Sequence, residues 1–182
     1  MKSIYMTGSS GTGKTTMALL MSDVLRMPIV DGISRSSPFL MGTDDHQQYV
    51  SRRVFKKCMT QTAIHCRTPL DVNAHTQVNS SNSPMDKQHI QLFAATKPLV
   101  IYFPMLEEIE DDGFRPTDWG FNEKVDTCIK QTLSEYNISY LELSLGSTRE
   151  RASEIITYLE EHHHGCAKTL LEHRKRLSYL RA

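Results

Sequence analysis

Residues 8–15 read Gly-Ser-Ser-Gly-Thr-Gly-Lys-Thr, and the reading of this octet decides the fold class. It matches G-x-x-x-x-G-K-[ST] in full and lies where that pattern has mechanical meaning. Upstream, residues 2–6 (KSIYM) form a short β-prone run; downstream, Met17, Leu20, Met21 and Leu25 recur at helical spacing over residues 14–25. In a strand, glycine-rich turn and helix so ordered, backbone N–H groups wrap phosphate oxygens and the helix N-terminus adds partial positive charge. Gly8, Gly11, Thr12, Gly13, Lys14, Thr15 and Thr16 are therefore the nucleotide-binding candidates. Lys14 is expected to reach the β- and γ-phosphates of ATP, and Thr15 to offer a hydroxyl to Mg²⁺.

Working outward, short strands are predicted at residues 27–31, 62–66, 99–103 and 138–143, the run PLVIYF (98–103) being the strongest. Between them fall helices. Thr43 reads as an N-cap with Asp44 and Asp45 in the first turn, and Tyr49, Val50, Val54, Phe55 and Met59 would form one apolar face up to Thr60. Pro69 suits the first position of a helix carrying Asp71 and His75 one turn apart. Further helices are predicted at 85–96, 122–136, 148–162 and 166–181. Strands alternating with helices indicate an α/β fold: a three-layer P-loop NTPase architecture with a parallel sheet of about five strands. A single domain over residues 1–182 is expected, with a lid at about 105–120 and a basic C-terminal helix at about 166–181.

What accompanies the octet removes one class of nucleotide-binding protein and argues against another. A GTPase needs an N-K-x-D box and a D-x-x-G switch, and neither occurs. A remodelling ATPase wants an adjacent Asp-Glu pair closing an apolar strand and an additional helical domain, which the sequence also lacks. A small kinase needs a carboxylate near the end of the second strand and arginines that close over the transferring group. Asp31 ends the second strand, where it can accept the proton of an attacking hydroxyl or hold Mg²⁺; the sequence leaves these roles open. Arg35 can fork an acceptor phosphate. Within Asp111-Asp112-Gly113-Phe114-Arg115-Pro116, glycine permits a bend and Arg115 can swing over the phosphates. Past the last strand, Arg149 is a candidate neighbour of the adenine, and Arg151 is expected to be a surface residue.

With the P-loop, the Asp31–Arg35 segment and the D-G-x-R-P loop together, the chain resembles the NadR-like (ribosylnicotinamide kinase-like) family of P-loop kinases. Cys66-Arg67-Thr68-Pro69-Leu70-Asp71 is similar to that family's D-R-[ST]-P-L-D segment, and IYFPMLEEIEDDGFRP to its lid. The resemblance implies ATP with Mg²⁺ as donor and a nucleoside-like hydroxyl as acceptor. It places Arg67 and Asp71 on the acceptor side and makes Arg115 the lid arginine. One departure stands out: Cys66 occupies the acidic position before Arg67. A thiol does not replace a hard oxygen ligand of Mg²⁺, so Asp31 would carry more of the work, or the acceptor would differ. His65 beside Cys66 lacks the further ligand spacing of a metal site. Tyr49, Phe55, Phe39, Phe114 and Trp119 are candidates for stacking on a base.

The chain's 182 residues carry 21 basic and 21 acidic side chains, so no global charge argues for nucleic acid. A domain of this length buries about 70% of its unfolded surface and needs no staples. Cys58, Cys66, Cys128 and Cys166 form no C-x-x-C pair and read as reduced thiols. No apolar run approaches the roughly 18 residues of a membrane span, and export is not expected, which points to the cytoplasm, or a host's cytoplasm for a phage-encoded chain. Residues 162–164 are three histidines that read as a solvated helix end. The helix at 166–181 carries Lys168, Arg174, Lys175, Arg176 and Arg181. It leaves DNA open as an acceptor, through the hydroxymethyl group of a modified base, as in related phage enzymes, beside a free nucleoside or nucleotide. A non-catalytic nucleotide-dependent binding module is the remaining alternative.

Overall fold

The computed structural model describes residues 2–79, 84–106 and 118–162. The chain runs β1 (Ile4–Thr7), α1 (Lys14–Leu25), β2 (Ile29–Val30), α2 (Asp44–Thr60), β3 (Ile64–His65), α3 (Pro69–Val78), α4 (Pro84–Ala95), β4 (Leu99–Tyr102), α5 (Trp119–Glu135), β5 (Tyr140–Glu142) and α6 (Thr148–His162). The lid residues 107–117, with Arg115, and the predicted helix at 166–181 lie outside the described residues.

All five strands pair in parallel in the order β2-β3-β1-β4-β5. Because side chains alternate along a strand, the sheet is apolar on both faces. Ile4, Met6, Leu99, Ile101 and Phe103 pack with Met17, Met21, Ile155, Ile156 and Leu159 of α1 and α6. Tyr5, Val100 and Tyr102 pack on the other side with α2 to α5, through Val50, Val54, Leu70, Phe93, Val125 and Ile129. This is the expected three-layer arrangement, and it brings the C-terminal ends of β1, β2 and β3 side by side.

Local chemistry sets the helix starts. The Thr43 hydroxyl accepts from His46 N at 3.3 Å, capping α2 as its sequence predicts. The face α2 buries is shifted: Cys58 is buried where Met59 was expected, and Met59 is 42% exposed. Thr68 and Asp71 form a capping box at the start of α3, with Pro69 in its first turn. The predicted helix at 122–136 begins earlier, at Trp119, because Asp118 caps it by accepting from Phe121 N at 2.5 Å.

Candidate active site

The phosphate loop leaves β1 through Gly8, at φ +149°, where a Cβ would stand 2.4 Å from the Phe103 carbonyl oxygen. Only glycine allows that approach. Gly13, at φ +85°, is the N-cap of α1; no side chain caps this helix and no acidic residue occupies its first turn. The positive end of the helix dipole is left for an anion. Two helices beyond the motif fix the loop. Asp71 accepts from Gly8 N at 3.1 Å with one carboxylate oxygen, and from Thr68 N and Oγ1, both at 2.7 Å, with the other. Asn122, fully buried on α5, accepts from Ser10 N at 3.1 Å. The Lys14 ammonium folds back over the loop, donating to Gly8 O (2.8 Å), Ser9 O (2.5 Å) and Thr12 Oγ1 (3.1 Å).

The exposed Thr15 hydroxyl donates to Asp31 Oδ2 at 3.0 Å, joining the start of α1 to the end of β2. A narrow cleft of about 20 Å³ lies here, lined by Gly8, Lys14, Thr15, Asp31, Cys66 and Asp71 among others. Beside it opens a cavity of about 230 Å³, the liquid volume of roughly seven or eight waters at about 30 Å³ each, large enough for more than an ion. Ser10, Asp31, Arg67 and His75 line both spaces. The larger one continues past Arg35, Met41, His46 and Gln47 to Asn79 and Phe121. Asp31 thus stands at the border between the phosphate loop and an organic-sized cavity. The donor set of Thr15 and Asp31 consists of two hard oxygens 3.0 Å apart, which fits Mg²⁺ as two neighbouring ligands of an octahedron with bonds of about 2.0–2.1 Å.

Of the candidates named from sequence, Lys14, Thr15, Asp31, Arg67 and Asp71 line the cleft together, and Arg35, which is exposed, joins Asp31 and Arg67 around the cavity. Gly11, Thr12, Gly13 and Thr16 belong to the loop and the first turn of α1; Thr12 is buried and Thr16 exposed. Arg149 is exposed at the start of α6. Its neighbour Arg151, expected on the surface, is instead 6% exposed: it donates to Thr12 O at 3.2 Å and Ser144 O at 2.8 Å, tying α6 to the loop. Cys66 and His65 diverge to opposite faces of the sheet. Cys66 packs in the α1/α6 core, whereas His65 stacks on Tyr5 at 5.0 Å and burial lowers its pKa.

Among the base-stacking candidates, Phe55 stacks on His89 at 4.1 Å, Phe39 meets Tyr49 at 5.9 Å and Trp119 is half exposed; Phe114 lies outside the described residues. The aromatic side chain lining the cavity is Phe121, 5.8 Å from the His75 ring. Phe121, Asn122 and Arg151 are among the site residues that sequence reading missed, with Ser10, His46 and Gln47 of the cavity lining. Asn122 follows an N-capping aspartate by four residues, but its partner is a loop amide 112 positions away, and no local pattern carries that.

The sequence matches no protein-family model, and a search of curated proteins gives no match. Solved structures do match. A deoxyadenosine kinase from M. mycoides with dCMP and dCDP aligns at a TM-score of 0.64 and 16% identity, over 88% of this chain and 99% of that one. A shikimate kinase from Acinetobacter baumannii in complex with shikimate gives a TM-score of 0.59 and 16% identity, over 90% and 95%. A thymidylate kinase from Candida albicans gives 0.58 and 14%, over 93% of each chain. At such identities the likeness establishes the fold, that of the P-loop kinases. It lends no support to the narrower NadR-like assignment.

Proposed function

We propose that the chain is an ATP-dependent kinase that transfers the γ-phosphoryl group to a hydroxyl of a small nucleoside- or nucleotide-like acceptor. The observation that carries this reading is the place of Asp31, hydrogen-bonded to the P-loop Thr15 and lining both the phosphate cleft and the larger cavity. An acceptor hydroxyl entering from the cavity meets a carboxylate before it meets the phosphates. Asp31 takes the proton as the acceptor oxygen bonds to the γ-phosphorus; the bond from that phosphorus to the β,γ-bridging oxygen breaks, and ADP leaves with the electron pair. Lys14 exchanges its loop oxygens for phosphate oxygens and holds the charge developing on them. Thr15 and Asp31 are the residues that would hold Mg²⁺. Bound there, the ion would supply charge neutralisation for the phosphates.

A cavity of about 230 Å³ beside the phosphate cleft favours a small acceptor, and the deoxyadenosine and thymidylate kinases among the structural neighbours favour a nucleoside or nucleotide. Nicotinamide riboside, suggested by the sequence resemblance, belongs to the same class. Arg35 and Arg67 would face acceptor oxygens, Arg115 would close over the phosphates, and Arg149 would flank the adenine.

The test is transfer of label from γ-labelled ATP with Mg²⁺ to nicotinamide riboside, nucleosides, nucleoside monophosphates, and duplex DNA with and without hydroxymethyluracil. Label on a small acceptor is the expected result. Label on modified DNA alone would replace the small acceptor by the polymer, and label on nothing, with ATP bound, would favour the binding module.

A further inference from the structure

Behind the cavity wall lies a buried polar chain that the proposed chemistry does not use. Asp86, in the first turn of α4 and 2% exposed, accepts a short hydrogen bond from Ser51 Oγ with one oxygen and from Thr76 Oγ1 at 2.8 Å with the other. Ser51 Oγ also meets His89 Nδ1 at 3.1 Å. On the cavity side, Gln47 Nε2 donates to Thr76 Oγ1 at 3.1 Å and to Val72 O at 3.4 Å.

Proton counting fixes the direction of this chain. A carboxylate only accepts, so the single Thr76 hydroxyl hydrogen points at Asp86; turned instead to Val72 O, 3.0 Å away, it would leave Thr76 Oγ1 and the Asp86 oxygen 2.8 Å apart with no hydrogen between them. Thr76 then has no hydrogen left for Gln47 and can only accept from it. Were the Gln47 amide reversed, its oxygen would face a lone pair of Thr76 and the Val72 carbonyl, two acceptor–acceptor contacts. Both amide hydrogens are thereby consumed on the protein side, and among the described residues Gln47 Oε1 has no protein donor. Gln47 lines the cavity. It does not line the phosphate cleft, so Gln47 meets the part of an acceptor remote from the phosphates.

We propose that Asp86, acting through Thr76, is a positioning residue that locks the Gln47 amide with its oxygen toward the cavity, so that the acceptor is selected for an N–H donor on its heterocycle. This rests on the kinase reading only in taking the cavity as the acceptor site. Pairs that exchange donor and acceptor along one ring edge read it: cytidine against uridine and adenosine against inosine, as nucleosides and as monophosphates.

The measurement is calorimetric binding of each member, alongside kcat and KM for transfer, in the intact chain and in Asp86→Asn, Thr76→Val and Thr76→Ser, with circular dichroism to verify folding. Asparagine can donate to Thr76, which releases the threonine hydrogen toward Gln47 and lets the amide turn over; valine removes the contact. The expected result is discrimination within at least one pair by the unaltered chain. It should shrink at least about tenfold, the worth of one buried hydrogen bond, in Asp86→Asn and Thr76→Val and persist in Thr76→Ser, with KM for ATP unchanged. Folded Asp86→Asn or Thr76→Val proteins that discriminate like the parent would overturn the proposal, as would an unaltered chain that binds both members of each pair alike or binds neither. Binding with discrimination but no transfer would count against the kinase reading alone and leave this inference standing.

Discussion

The cleft at the glycine-rich loop and the cavity proposed to take the acceptor share Ser10, Asp31, Arg67 and His75, yet the loop and the cavity are built in different ways. The loop is one contiguous octet whose backbone path is opened by its own glycines, Gly8 admitting the Phe103 carbonyl and Gly13 starting α1 with its N-terminus uncapped, and is then held from outside by Asp71, Asn122 and Arg151. The cavity is assembled from segments around residues 31–35, 41–47, 67–79 and 121, none of which makes a wall alone. A contiguous site is specified by short-range sterics. A dispersed one depends on where the helices pack, so its chemistry can change through side chains that never touch the substrate.

The difference is broken most severely at the loop. Lys14→Ala removes the one ammonium resting on the loop oxygens of Gly8, Ser9 and Thr12, and transfer should fall by roughly 10³-fold. Label transfer at saturating ATP measures it; retention of more than a tenth of the activity would remove Lys14 from the chemistry. Asp31→Asn, at the border of the two regions, should lose about 10²-fold in kcat while nucleotide affinity stays within a fewfold of the parent. Full turnover in this variant would sink the assignment of Asp31 as proton acceptor.

Neighbouring residues of α5 sharpen the comparison, because Asn122 serves the loop and Phe121 the cavity. Asn122→Ala leaves the buried Ser10 N–H without its acceptor, a cost of about 1–3 kcal/mol. It should weaken ATP binding about tenfold and leave acceptor KM nearly unchanged. Phe121→Ala should do the reverse, raising acceptor KM about fivefold through lost apolar contact with ATP affinity preserved. Paired titrations of donor and acceptor decide it, and equal effects of both variants on both ligands would mean that the two regions are energetically one.

This contrast also explains what could be read from sequence. The octet, the N-cap at Thr43 and the helix start at Pro69 are local, and the fold class with about five parallel strands followed from the octet and from the alternation of strands and helices. Asn122 and Arg151 could not be found that way. Each reaches the loop from far along the chain, Arg151 from 139 residues beyond Thr12, and a polar residue in a helix carries no mark of its partner. Met59 was misplaced for a related reason. Helical periodicity gives a stripe, but the smaller Cys58 is the side chain that fits against His65 and the Arg67 carbonyl.

The smallest predicted effect tests whether the two faces of the sheet differ in acid. His65 and His89 are both buried on the side of α2 to α5, and both have lowered pKa values, chiefly from burial. Lys57 lowers His65 further while its Gln61 hydrogen bond opposes; at His89, Asp86 opposes and Arg52 lowers it. Among the described residues, α1 and α6 bury no histidine. Below the ordinary imidazole value of about 6.5, the unfolded chain takes up protons that the folded chain refuses at these two sites. The unfolded state therefore binds more protons, and stability rises with pH through this window and is lost as pH falls. Each histidine contributes at most about 1.4 kcal/mol per pH unit. Hydrogen exchange at pH 7.5 and 5.5, corrected for intrinsic rates, should show protection declining first in α2, β3 and α4 while α1 holds. A His65→Gln, His89→Gln double variant should flatten that difference; its persistence there would place the acid-sensitive group elsewhere on the side of α2 to α5, and uniform loss of protection across both faces would show that the two layers open as one unit.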